Sequence, residues 1–203
     1  MLAVFDVVSS SCRKSDWLLS FDKTGLSSSD SDGDYIKGFF RNHLRQGGHD
    51  SLSLLEAAEC CSKTAPWKTS KSLTFYADWW TILDSINSWG LCPAGYFLQG
   101  LYRNEDNRGW LHNLEEGRCS KPAEHPSTYG ECYNEDIGVC FDNIVLCKCR
   151  DGYFVTGLYR GGCDELFCLE MLRCCKMASA PEQLDEAYKV KTPNYGYDTG
   201  GHR

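Results

Sequence analysis

Three arginines and three glutamates recur in step along this chain of 203 residues. Arg41, Arg103 and Arg160 each close a Gly-[Leu/Phe]-[Tyr/Phe]-Arg box, and Glu56, Glu115 and Glu170 each stand in a Leu-x-x-Leu-Glu-x3-Cys box. A guanidinium facing a carboxylate makes a strong, charge-assisted contact. Within one unit such a pair would be a partly buried ion pair that fixes strand register. Beside Phe40, Tyr102 or Tyr159 it could instead cradle a sugar, through hydrogen bonds and ring stacking. The structural role is favoured, because threefold recurrence is what folding requires. If the surface carries a ligand, its expected contacts are Tyr102, Arg103, Trp110, Tyr159 and Arg160.

Other reactive groups are sparse in pattern. Asp30, Asp32 and Asp34 alternate, but they lack the glycine and distant glutamate of a calcium loop. Asp22, Asp84 and Asp142 recur before a turn and are expected to cap it. The histidines (His43, His49, His112, His125 and His202) match no repeat position, and no nucleophile or metalloprotease motif occurs. Cys147-x-Cys149 with Cys174 and Cys175 has zinc-like spacing, which an oxidising compartment disfavours. No catalytic residue, metal or cofactor is expected, and the chain is read as non-enzymatic.

The elements that must position these residues occur three times, so the chain is a repeat protein before it is anything else. Tyr35, Tyr96 and Tyr153 mark the period. Each unit opens with Asp-x5-Asp: Asp16 to Asp22, Asp78 to Asp84, Asp136 to Asp142. The apolar alternation between these aspartates reads as a short half-buried strand. The Gly-[Leu/Phe]-[Tyr/Phe]-Arg box follows as a second strand, whose internal glycine suggests a bulge or a close neighbour. The Leu-x-x-Leu-Glu-x3-Cys box reads as a strand returning antiparallel to it. The expected fold is all-β: three Cys-rich repeats of short antiparallel strands around a pseudo-threefold axis, stabilised by disulfides. Repeats span 12–66, 74–122 and 132–177, with 1–11 a leader or truncated start and 178–203 a flexible tail.

Thirteen cysteines point to an oxidising, extracellular compartment. The repeats suggest their wiring. Cys92–Cys119 and Cys149–Cys174 occupy matching positions, as do Cys12–Cys61 and Cys132–Cys175. The middle unit has Thr74 and Ser120 at the latter two positions, so both partners are missing together. Cys140–Cys147 and Cys163–Cys168 follow by elimination. A loop of nearly 30 residues closed this way gains roughly 3–4 kcal/mol in the chain-entropy model. Cys60 is left over, either as an inert buried thiol or as a bridge to a second chain. The net charge of −7 argues against nucleic acid. Apolar runs are too short to span a bilayer. The start MLAVFDVVSSSC is a poor secretion signal, which suggests a fragment.

The layout resembles the dermatopontin family of extracellular matrix proteins. The resemblance rests on Asp78-Trp79, Cys92-Pro93-Ala94-Gly95, Asn107-Arg108-Gly109-Trp110 and the Cys60-Cys61 and Cys174-Cys175 ends. A vitelline-membrane outer-layer type of β-prism is similar in glycine spacing and in its three sheets. The resemblance implies a secreted matrix or adhesion module that binds glycans or matrix proteins, and supplies no catalytic residue. The alternative is an innate-defence lectin, or the ligand-binding region of a larger pore-forming or receptor protein.

Overall fold

Each repeat forms four short strands, one more than its sequence boxes suggest. In unit one they are β1 (Cys12–Asp16), β2 (Gly25–Ser28), β3 (Asp34–Arg41) and β4 (Leu55–Ser62). Unit two supplies β5 (Ser72–Asp78), β6 (Ser88–Leu91), β7 (Phe97–Arg103) and β8 (Leu114–Pro122). Unit three supplies β9 (Cys132–Asp136), β10 (Leu146–Lys148), β11 (Phe154–Arg160) and β12 (Leu169–Cys175). The computed structural model describes residues 11–42, 48–104 and 109–179. Residues 1–10 and 180–203, which hold most of the expected leader and tail, lie outside the described residues.

The strands make three antiparallel sheets in the orders β1-β4-β3-β10, β5-β8-β7-β2 and β9-β12-β11-β6. We call them sheets A, B and C. The first, third and fourth strands of a unit stay together. The second crosses over: unit one's joins sheet B, unit two's joins sheet C, and unit three's joins sheet A. The exchange closes a ring, so no sheet is complete without its neighbour, and the units form one prism around a pseudo-threefold axis.

The internal glycine makes this exchange possible. A Cβ at Gly38 would lie 2.3 Å from Lys148 Cβ, one at Gly100 would lie 2.6 Å from Ser28 Cβ, and one at Gly157 would lie 2.4 Å from Leu91 Cδ2. Each of these neighbours belongs to the exchanged strand. A bulge precedes each glycine, as the sequence suggests. The bulged Lys37, Gln99 and Thr156 turn their carbonyls to the amides of Cys149, Ser29 and Cys92, at 2.9, 2.9 and 2.8 Å. Those amides directly follow the exchanged strands, so bulge and glycine together form the seat for the incoming strand.

The Asp-x5-Asp segment is not the expected strand. Pairing ends at the first aspartate, and the segment turns as one helical turn, with Phe21, Leu83 and Phe141 amides donating to Trp17, Trp79 and Ile137 carbonyls at 2.9, 3.0 and 2.7 Å. The buried residues are these i, i+4 pairs. The intervening Leu19 and Val139 are 77% and 79% exposed, which excludes a period of two. Capping also moves: Asp16, Asp78 and Asp136 accept from the amides of Leu18, Trp80 and Gly138, each at 3.0 Å. Asp22, Asp84 and Asp142, the expected caps, are exposed.

Two apolar cores follow. The larger fills the prism with Trp17, Phe39, Trp79, Leu101, Phe141, Leu158 and their neighbours. The Trp79 indole lies where a Cβ on Gly90 or Gly117 would otherwise reach, at 2.8 and 2.5 Å, and so wedges sheet C against sheet B. The smaller core is a triangle of Tyr35, Phe97 and Phe154, with ring centroids 5.3, 5.6 and 5.7 Å apart. Tyr35 therefore corresponds to Phe97 and Phe154, not to Tyr96 and Tyr153. The glycines set the register that the tyrosines misplace by one residue.

The six disulfides are Cys12–Cys61, Cys92–Cys119, Cys132–Cys175, Cys140–Cys147, Cys149–Cys174 and Cys163–Cys168, the pairs that the repeats suggest. Cys12–Cys61 and Cys132–Cys175 strap directly opposed ladder residues. Thr74 and Ser120 oppose each other in the same way in sheet B. With all four cysteines in disulfides, the zinc reading of Cys147, Cys149, Cys174 and Cys175 is overturned. Cys60 is fully buried in the larger core, and burial pushes its thiol up to about 12. Cys60 thus presents no exposed thiol for the expected bridge to a second chain.

Candidate functional site

The three recurring arginines are clasps between units. Arg41 Nη1 donates to the Phe141 carbonyl, Arg103 Nη1 to the Phe21 carbonyl at 2.6 Å, and Arg160 Nη1 to the Leu83 carbonyl. Each acceptor is the last apolar residue of a helical turn, in the unit that donates its second strand to that sheet. All three side chains are buried, so Arg103 and Arg160 are not the surface contacts expected of them. Arg41 pairs with Asp50 at 2.5 Å and Arg160 with Asp164 at 3.0 Å.

The glutamates recur for a different reason. Their backbone carbonyls accept from Trp17, Trp79 and Ile137, each at 2.8 Å, and anchor the start of each helical turn. Their side chains diverge. Glu56 accepts from Asn42 Nδ2 at 2.7 Å. Glu115 is buried, and desolvation, helped by the Asp84 charge, raises its pKa to about 7.

The expected aromatic contacts are dispersed. Tyr102 lies on the outer face of sheet B and Tyr159 on that of sheet C, each matching Phe40 on sheet A. Trp110 lies at the opposite end of the prism from the axial triangle, 4.0 Å from the His49 ring. That end is closed by a cycle of backbone bonds, from the amides of Leu52, Leu111 and Leu166 to the carbonyls of Gly109, Asp164 and Asp50, at 2.7, 2.8 and 2.8 Å. The five residues do not form one site.

One of them, Tyr159, does stand in a built surface. Two cross-strand rows run over the outer face of sheet C: Trp89, Tyr159, Met171 and Asp136, then Leu91, Gly157, Arg173 and Asn134. The Trp89 and Tyr159 rings are 5.1 Å apart and inclined at 48°. Leu91 covers the bare Gly157 beside them. The polar groups around this platform are ordered. Tyr159 Oη donates to Asn87 Oδ1 at 3.3 Å, and Arg173 Nη1 donates to Asn134 Oδ1 at 2.9 Å. Asn87 has φ of 55°, a left-handed conformation that non-glycine residues seldom adopt. Aromatic faces rimmed by amide and guanidinium groups can stack on an apolar ring face and hydrogen-bond to hydroxyls around it. Sequence repetition could not reveal Trp89, Asn87 or Asn134, because these residue types do not recur at the matching positions of the other units.

A cleft of about 480 Å³ opens between units one and two, lined by Asp32, Lys63, Lys71, Ser72, Thr74 and Arg118. It lies where the middle unit lacks its disulfide strap. Arg118 pairs with Asp32 at 3.7 Å, and Lys63 Nζ donates to the Ser70 carbonyl. Asp34 likewise faces Arg13. Asp32 and Asp34 are thus turned to guanidinium groups. Among the described residues no cluster of three or more His, Cys, Asp or Glu side chains could hold a metal ion. No family model, curated protein or solved structure matches this chain.

Proposed function

We propose that the protein is a non-catalytic extracellular module for matrix binding or adhesion, which holds a glycan on the outer face of sheet C. The observation that carries this reading is the Trp89–Tyr159 platform with its rim of Asn87, Asn134 and Arg173. Large aromatic side chains supply contact area at low entropic cost and dominate binding energy where they cluster. Six disulfides support an oxidising location. No helix among the described residues is long and apolar enough to cross a membrane. The resemblance to matrix proteins points the same way.

A glycan array followed by calorimetric titration tests the reading. Trp89→Ala and Tyr159→Ala are each expected to weaken glycan binding by about tenfold or more, the loss of roughly 1–2 kcal/mol typical of an aromatic anchor. Tyr102→Ala, on sheet B, should leave it unchanged. Silent glycans together with binding to collagen would replace the glycan by a protein partner.

A further inference from the structure

The segments that follow β4, β8 and β12 converge over the Tyr35–Phe97–Phe154 triangle. They bring together Trp67, His125 and Ala178, one from each connection. His125 is 2% exposed, with its ring 5.1 Å from Trp67 and 5.4 Å from Phe97. Both of its ring nitrogens are engaged. The Ala178 amide donates to Nε2 at 2.9 Å. An amide N–H can only donate, so Nε2 must offer its lone pair, and the ring proton resides on Nδ1. Nδ1–H then donates to the Pro126 carbonyl at 2.9 Å. The Ala178 carbonyl is held as well, by Trp67 Nε1 at 2.7 Å. The start of the expected flexible tail is therefore anchored through both backbone groups of one residue.

We propose that His125 is an acid-sensitive latch that holds Ala178, at the start of the C-terminal segment, against the end of the prism. A proton added at Nε2 sets two N–H donors against each other and breaks the bond to Ala178. It also places a cation among Trp67, Phe97 and the backbone of Gly95. The charged group facing it is the Lys121 ammonium from β8, which donates to the His125 carbonyl at 2.8 Å. Glu124 is exposed and accepts from the Ser70 hydroxyl at 2.6 Å. Tyr129, packed on Phe97, donates to the Pro93 and Tyr96 carbonyls at 3.0 and 2.6 Å.

Burial, reinforced by Lys121, holds the imidazole pKa below its ordinary value, against the backbone hydrogen bonds that raise it. The neutral ring thus contributes stability that is present above the ordinary histidine pKa. That stability is lost as pH falls through the lower folded value. The latch is closed at neutral pH and opens in acid, which loosens the cover over the aromatic triangle.

Hydrogen exchange of the full chain at pH 7.5 and 5.0, corrected for intrinsic rates, tests this. Protection of the 176–179 segment is expected to fall at least tenfold at pH 5.0, while β7 and β11 stay protected. His125→Gln keeps an acceptor but cannot titrate, so its protection should be independent of pH. An equal loss in His125→Gln, or no loss in the parent chain, overturns the latch. Should the variant not fold, nitrogen chemical shifts of the parent chain decide. The Nδ1–H tautomer at pH 7.5 is required, and an Nε2–H tautomer contradicts it.

Discussion

Sheets A and C have the same strand order, the same bulge and glycine, and the same exchanged strand in the same register. Their outer faces share almost nothing. On sheet A, Lys148 pairs with Glu59 at 3.1 Å, and the Lys14 ammonium sits 4.8 Å from the Phe40 ring. Charge thus covers the aromatic ring that corresponds to Tyr159. On sheet C, Leu91, Arg173 and Asn134 stand where sheet A has Lys148, Glu59 and Lys14, while Trp89 and Met171 replace Leu146 and Ala57, and the Tyr159 ring meets another ring. What recurs between the sheets serves closure of the prism. What differs is free to meet a partner. Sheet B lies between the two, with Glu116 and Arg118 beside Leu26, Tyr76 and Tyr102 on its outer face and an open strap position.

The clasps allow the sharpest test of what is shared. Arg41 and Asp50 are almost wholly buried, with side chains 4% and 2% exposed, whereas Asp164, the partner of Arg160, is 28% exposed. Arg41→Ala would strand a buried carboxylate and a carbonyl, so a loss of about 3–5 kcal/mol is expected in urea unfolding. Arg160→Ala should cost about half as much, because water can reach its partner. Equal costs would mean that the clasp acts only through its carbonyl.

The missing strap comes next. Thr74→Cys combined with Ser120→Cys should form a seventh disulfide without moving the strands, because Thr74 and Ser120 already oppose each other as Cys12 and Cys61 do. A gain of about 2–4 kcal/mol under oxidising conditions is expected, and it should vanish on reduction. If the thiols stay free, sheet B differs from sheet A in its backbone as well as its side chains.

A smaller effect separates Glu115 from its counterparts. Its pKa rises from 4.5 to about 7 on folding. The folded chain therefore binds more protons than the unfolded chain between these values, and stability falls as pH rises through that window. Glu115→Gln should be more stable than the parent at pH 8, by on the order of 2 kcal/mol, and equal to it at pH 4. Thermal unfolding across pH measures the difference.

Much of the scaffold was legible because each unit could be checked against two others. Joint loss at Thr74 and Ser120 identified a disulfide pair, and the third strand and the glycine seat were read in the same way. The helical turn was not. An apolar triplet at Trp17, Leu19 and Phe21 satisfies both periods, and only the exposure of Leu19 separates them. The exchanged strands were hidden because they are three or four residues long, and Gly25-Leu26-Ser27-Ser28 holds a single large apolar residue. The arginines recurred, but their acceptors are backbone carbonyls in another unit, which carry no sequence signature. The platform was half visible: Tyr159 belongs to a repeated box, and Trp89 does not.

The central claim is that ligand binding belongs to the face where the units diverge. Backbone amide chemical shifts recorded during titration with a glycan selected from the array test it directly. Changes confined to Trp89, Leu91, Tyr159, Met171 and Arg173 on sheet C, with Lys14, Phe40 and Glu59 on sheet A unmoved, are what the account predicts. Changes of similar size on all three sheets, or confined to sheet A or sheet B, would contradict it.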